Sequence, residues 1–196
     1  MKKTTQKLLE LFTSNITKKF TLREVSKQLN MNVSLTHRTI QELKKTNTLT
    51  LDENNLLKLN YKTNHDLLIF VEYQKRNNYF KTNKTLKLFA EEINKKIKET
   101  SFILILFGSS VILKTPRDVD ILLIVDHKSK IEFNEKFLLN IAANYNLPIE
   151  ERVISIESVQ EMLQKRDEIN LINEILNKHL ILYGAEQFYR ILERER

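Results

Sequence analysis

Two fully apolar runs, Ile103–Leu106 and Ile121–Val125, lie close together in the chain. Runs of that length without polar alternation suit strands buried on both faces, which need helices on each side of their sheet. Between them stand Phe107-Gly108-Ser109 and, after a short loop, Thr115-Pro116-Arg117-Asp118-Val119-Asp120. The segment predicts a strand, a tight Gly-Ser turn, a loop and a second strand. Residues i and i+2 of a strand share a face, so Asp118 and Asp120 are expected side by side. Two ionised carboxylates at that spacing repel each other and raise a pKa unless a cation or an arginine neutralises them. Oxygen-only ligands suit Mg²⁺ (or Mn²⁺), and Mg²⁺ takes one or two protein carboxylates together with substrate phosphates.

A hydrophobic strand ending in Gly-Ser and followed by Asp-x-Asp resembles the signature of the polymerase-beta-like nucleotidyltransferase superfamily. The matching residues are Gly108, Ser109, Asp118 and Asp120. The resemblance implies that the Gly108-Ser109-Ser110 backbone holds a nucleoside triphosphate, with ATP as the expected donor. It further implies that Asp118 and Asp120 bind the metals of an in-line displacement at phosphorus. The loop from Ser110 to Arg117 is slightly shorter than usual in that family, and Val111-Ile112-Leu113-Lys114 replaces its common Ala-Arg-Gly. Lys114 and Arg117 are candidates to meet the triphosphate or an acceptor phosphate; the alternative is solvated loop charges. The family also implies a third carboxylate on a neighbouring strand, often the base that takes the acceptor's proton. The predicted strand Ile149–Ile156 offers Glu150 and Glu151, whose side chains are expected on opposite faces. Glu150 joins Asp118 and Asp120 as the catalytic candidate, with Glu151 still open.

Charge is distributed unevenly. Residues 1–63 contain 12 Lys and Arg against 5 Asp and Glu, whereas residues 64–196 hold 20 of each, so the net +7 resides in the first third. Concentrated positive charge is the footprint of a phosphate-backbone binder, although lysine-rich, asparagine-rich composition can have other origins. Pattern sharpens the case. Leu8, Leu9 and Phe12 lie at helical spacing, and Thr21 with Glu24 forms a capping box for Leu22–Leu29. Asn30-Met31-Asn32 then reads as a turn. Ser34 is expected to cap a third helix through Lys45, with Val33, Thr36, Ile40 and Leu43 inward. Thr48–Leu51 and Leu56–Leu59 around Asp52-Glu53-Asn54-Asn55 predict a hairpin with an acidic tip.

Three helices and a hairpin in this order resemble the winged helix-turn-helix of many prokaryotic regulators. The resemblance implies that the third helix enters the major groove while the wing rests on the backbone. Ser34, His37, Arg38, Gln41, Lys44 and Lys45 face outward; Arg38, Gln41 and His37 are candidates for base edges, and Lys44, Lys45 and Lys58 for phosphates. The acidic tip argues against deep minor-groove insertion. A protein-interaction winged helix is the other reading of the same pattern. Four His without ligand-like spacing, and no Cys, argue against zinc and thiol chemistry.

The remaining pattern completes an α+β or α/β chain: residues 1–63 as a winged helix-turn-helix, 64–83 as a helical connector, and 84–196 as a small mixed-sheet nucleotidyltransferase domain. The connector is expected to be helical from His65 to Tyr79 and to break at Asn77-Asn78, with a helix over Leu86–Lys98 following. Lys130–Tyr145 is a predicted crossover helix, and the tail is read as helices around the apolar run Leu180–Gly184. Phe188 and Tyr189 are expected in core or dimer packing rather than base stacking. The tail and the paired modules are similar to small archaeal and bacterial proteins that join a winged helix to a minimal nucleotidyltransferase. No apolar run approaches the roughly 20 residues that span a bilayer, and no signal-type segment follows the basic start, so a cytoplasmic protein without membrane contact is expected.

The resemblance implies transfer of a nucleotide, AMP for an ATP donor, to a hydroxyl. Little sequence remains for acceptor binding, which suits a macromolecular acceptor such as a toxin protein or a tRNA end, and an antitoxin that autoregulates through DNA. The competing reading is a DNA-binding transcriptional regulator whose second domain is catalytically degenerate and senses nucleotide or mediates dimerisation. A homodimer is expected, because helix-turn-helix half-sites usually come in pairs.

Overall fold

The computed structural model describes residues 1–111, 117–165 and 170–194. It opens with α1 (Lys3–Thr13), which buries Leu8, Leu9 and Phe12. Helix α2 (Leu22–Leu29) begins in the expected capping box: the Glu24 amide donates to Thr21 Oγ1 at 3.2 Å, and the Thr21 amide to Glu24 Oε2 at 2.7 Å. Asn30 ends α2 in the left-handed region at φ 48°, where a short polar side chain is tolerated, and the Met31 amide returns to Ser26 O at 3.0 Å.

Helix α3 (Val33–Lys45) is capped by Asn32, whose Oδ1 accepts from the Ser34 amide at 2.8 Å. Ser34 therefore lies inside the helix rather than at its cap. Val33, expected inward, is 50% exposed at the first helical position, while Thr36, Thr39, Ile40 and Leu43 form the buried face. Strands β1 (Leu49–Leu51) and β2 (Leu57–Leu59) pair antiparallel as a hairpin. Asp52 is not a free acid at its tip. Its carboxylate is nearly buried, accepts the Asn54 and Leu56 amides at 2.9 and 2.8 Å, and pairs with Lys19 at 2.8 Å.

Helix α4 (His65–Thr82) continues through Asn77 and Asn78, where a break was expected. Asn in a helix interior costs only a few tenths of a kcal/mol, which side-chain packing readily offsets. Helix α5 (Lys84–Lys96) leads into β3 (Phe102–Phe107). Then come β4 (Val119–Val125), α6 (Ile131–Ala143), β5 (Ile149–Ser155), α7 (Ile156–Gln164), α8 (Leu171–Ile175), β6 (His179–Tyr183) and α9 (Ala185–Arg194).

The four-stranded sheet is mixed, in the order β5-β4-β3-β6. β3 and β4 pair antiparallel, and α6 crosses over to place β5 parallel to β4, the connection that parallel neighbours require. The apolar run of the tail is strand β6, antiparallel to β3. Both faces of the sheet are covered. Ile103, Ile105, Phe107, Leu122, Ile124 and Ile181 share one core with α7, α8, α9, α4 and the N-terminal helices. Leu104, Leu106, Ile121, Leu123, Val125, Leu180 and Leu182 face α5 and α6. Phe188 and Tyr189 are buried in the first core. Among the described residues no helix is long and apolar enough to cross a membrane.

Candidate functional site

β3 ends at Phe107 because the next residue turns the chain. Gly108 has φ +67°, the left-handed region that favours glycine. A Cβ there would collide with Asp120 Oδ2 and lie 2.9 Å from its Cγ, so the turn backbone packs directly on that carboxylate. Gly108–Val111 form a single 3₁₀ turn. The Ser109 side chain is exposed, and its backbone amide lies close enough to the Asp120 carboxylate to favour its charged form. Ser110 is buried: its Oγ donates to Phe107 O at 2.6 Å, and its carbonyl accepts from Tyr79 Oη at 3.0 Å. The Ser110 side chain is thus engaged by the turn itself.

β4 begins at Val119, whose amide donates to Pro148 O at 2.8 Å. Asp118 immediately precedes the strand, its side chain half exposed with Arg117 Nε 3.8 Å away, and its charge is felt at Asp120. Asp120 is on the strand and directly opposite Glu150 in the parallel register. Paired residues share a face, so Glu150 and Arg152 lie on the side of Asp120 and Leu122, while Glu151 falls with Val153 on the other. Register thereby decides between the two glutamates. Glu150 Oε1 accepts from Arg152 Nη2 at 3.1 Å.

The electrostatics follow from this placement. Partial burial, then the negative charge of Glu150, then that of Asp118 push the Asp120 pKa up, against the Ser109 amide and Arg152, which hold it down. Among the described residues no three His, Cys, Asp or Glu side chains converge as a ready-made metal cluster. The donor chemistry nonetheless suits a hard cation: Asp118 and Asp120 supply oxygens, and a divalent ion would relieve the crowding that raises the Asp120 pKa. Arg117 is almost fully exposed. Lys114 lies outside the described residues.

The N-terminal face sorts the other candidates. Ser34, His37, Arg38 and Gln41 line one shallow groove with Leu22 and Val33, and His37 and Gln41 are in contact at 3.2 Å, one helical turn apart. Lys44 joins His37 and Gln41 in the adjoining groove between α3 and the hairpin, and Lys45 is exposed nearby in sequence. Lys58 is not part of this set. It lines a separate cleft with Lys19, Lys62 and Tyr61 on the hairpin's other side.

No protein-family model, curated protein or solved structure matches the chain. Two further residues belong to the site: Arg152, whose charge acts on Asp120, and Tyr79, which holds the Ser110 carbonyl. Arg152 was legible as the i+2 neighbour of Glu150 on a strand; Tyr79 sits 31 residues from its partner and gave no local signal. A cleft of ≈ 530 Å³ bordered by Phe102, Tyr183, Gln187 and Arg190 opens at the far end of β3 from Gly108 and shares no residue with the carboxylates.

Proposed function

We propose that the chain is a metal-dependent nucleotidyltransferase of the polymerase-beta type joined to a DNA-binding winged helix-turn-helix. The observation that carries the reading is Gly108 packed on the Asp120 carboxylate, with the Ser109 amide near it and Glu150 opposite in register. In this reading the Gly108-Ser109 turn holds the triphosphate, and Asp118 and Asp120 hold Mg²⁺ (or Mn²⁺). Bound there, the metal supplies positive charge that neutralises the phosphates and favours the attacking oxygen. Glu150 accepts the proton of an acceptor hydroxyl whose oxygen bonds to the α-phosphorus as pyrophosphate departs. The expected product with ATP is an adenylylated macromolecule, a toxin protein or a tRNA. Ser34, His37, Arg38, Gln41, Lys44 and Lys45 supply the DNA-facing surface that would let an antitoxin of this kind regulate its own transcription.

A second reading has its own support. Glu150 is already paired with Arg152, and no three-ligand cluster is assembled among the described residues, which suits a regulator that senses nucleotide without transferring it. Incubation with each α-³²P-labelled NTP and Mg²⁺, with and without host lysate, separates the two. Label on a protein or RNA, absent for an Asp118→Ala, Asp120→Ala double variant, supports the transferase. Mg²⁺-dependent ATP binding without labelled product leaves the sensor.

A further inference from the structure

Glu72, Arg76 and Tyr79 recur at i, i+4 and i+7 of α4 and so form one stripe of that helix. Each is bonded to the sheet or to what closes it. Glu72 is buried, accepts from Tyr189 Oη at 3.1 Å, pairs with Lys75 at 2.9 Å and lies 3.9 Å from His179 Nε2. His179 stands opposite Phe107 in the β3–β6 register. Arg76 Nη1 donates to Leu182 O at 2.9 Å, its guanidinium 4.8 Å from the Tyr73 ring and 5.1 Å from that of Tyr183. Tyr79 donates to Ser110 O, and Asn83 Nδ2 donates to the Tyr79 carbonyl at 2.9 Å, closing the last turn of α4. The helix therefore meets the Gly108–Val111 turn directly at Ser110, and meets β6 at His179, the residue paired with Phe107. Burial raises the Tyr79 pKa, so its hydroxyl remains a donor throughout the neutral range.

We propose that Tyr79 is a positioning residue for the nucleotide-binding turn: by holding the Ser110 carbonyl it fixes the peptide planes that direct the Ser109 amide at Asp120, without itself touching nucleotide. A single 3₁₀ turn has few internal hydrogen bonds of poor geometry, so a bond from outside decides its conformation. Removing the phenolic oxygen leaves the buried Ser110 carbonyl without this partner, while the ring of a Phe would retain the packing. The inference rests on reading Gly108–Ser110 as a triphosphate-holding turn, and it extends that site to a helix outside the Asp-x-Asp motif.

The test compares native protein with Tyr79→Phe by two independent readouts. Amide hydrogen exchange of Ser109, Ser110 and Val111 in ¹⁵N-labelled protein reports the turn, with Leu104 and Ile105 amides in β3 as the internal standard. Titration with ATP and Mg²⁺ reports the site. The expected result is turn amides exchanging about tenfold faster and ATP affinity about tenfold weaker, with β3 amides unchanged. Turn amides that exchange at the native rate overturn the positioning role, whatever ATP does. Faster turn exchange in a chain that never binds ATP upholds the clamp and removes the nucleotide reading instead.

Discussion

Gly108 is held to glycine by two separate conditions, a left-handed backbone and the Asp120 carboxyl lying where a side chain would begin. Gly108→Ala should cost about 1–3 kcal/mol in urea unfolding through backbone strain, and should abolish ATP binding by displacing Asp120. Native-like affinity in a folded variant would dissociate the turn from the nucleotide. Asp120 carries a pH signature. A carboxyl whose pKa rises on folding binds its proton more tightly in the native state, so its contribution favours the fold at low pH. That contribution is lost as pH rises from the ordinary 3.8 through the raised value. Asp120→Asn should therefore raise the unfolding temperature at neutral pH while lowering transfer by a factor on the order of 10²–10³; a neutral-pH destabilisation would contradict the assigned crowding. The need for glycine was visible in the strand–Gly-Ser–Asp pattern. That Asp120 rather than Asp118 is the partly buried carboxyl was not, because both share the same local spacing and only the start of the β4 ladder distinguishes them.

Among the elements, α3 shows where helical periodicity suffices. Thr36, Ile40 and Leu43 are buried and Ser34, His37, Arg38, Gln41 and Lys45 exposed, as a 3.6-residue period requires, with Val33 at the first position the one expected inward residue that is exposed. Its start was harder to place, since Asn32 and Ser34 are both good caps and the chain direction entering the helix selects between them. If α3 reads DNA, Arg38→Ala should cost about 1–3 kcal/mol of specific affinity, whereas Lys45→Ala should weaken all sequences alike and reduce the slope of log K against log salt by about 1. Gel shifts across a salt series check both, and an unaltered Arg38→Ala would remove α3 from the interface. Strand β6 shows the opposite limit. A five-residue apolar stretch fits a buried strand or a piece of buried helix equally well. Pairing with β3, 72 or more residues earlier, gives it its identity.

At the scale of the whole molecule, a single core runs from Leu8, Leu9 and Phe12 of α1 through Leu68 and Val71 of α4 to Ile103 and Ile105 of the sheet. Backbone and side chains seal the same junction: the Ile16 amide donates to Leu176 O at 2.9 Å, and Lys75 bridges Glu72 to Thr13 of α1. Phe12→Ala should accordingly cost about 3–5 kcal/mol, and its unfolding should remain one transition by both far-UV and aromatic signals; two separated transitions would show the N-terminal helices melting on their own. The buried hub beneath this junction should set acid stability. Burial, with the charge of Lys75 beside it, pushes the His179 pKa down to about 3, while Nδ1 contacts Ile175 O at 2.7 Å and Tyr189 and Glu72 close the other side. The unfolded chain then binds a proton that the native one refuses, so stability falls as pH drops from 6.5 towards 3. His179→Leu should flatten that limb of unfolding temperature against pH, and an unchanged limb would mean that Glu72 keeps the imidazole protonated. The sequence by itself determined the helices of the first 63 residues, the two buried central strands, the Gly-Ser turn between them and the outward face of α3, because those depend on periodicity and caps within a few residues. Tertiary structure decided that Glu150 and not Glu151 faces Asp120, that Asp52 is tied into its turn, that β6 completes the sheet and that Tyr79 supports Ser110. Each of these is a long-range choice between locally equivalent options, fixed by strand register and by which buried polar groups find partners.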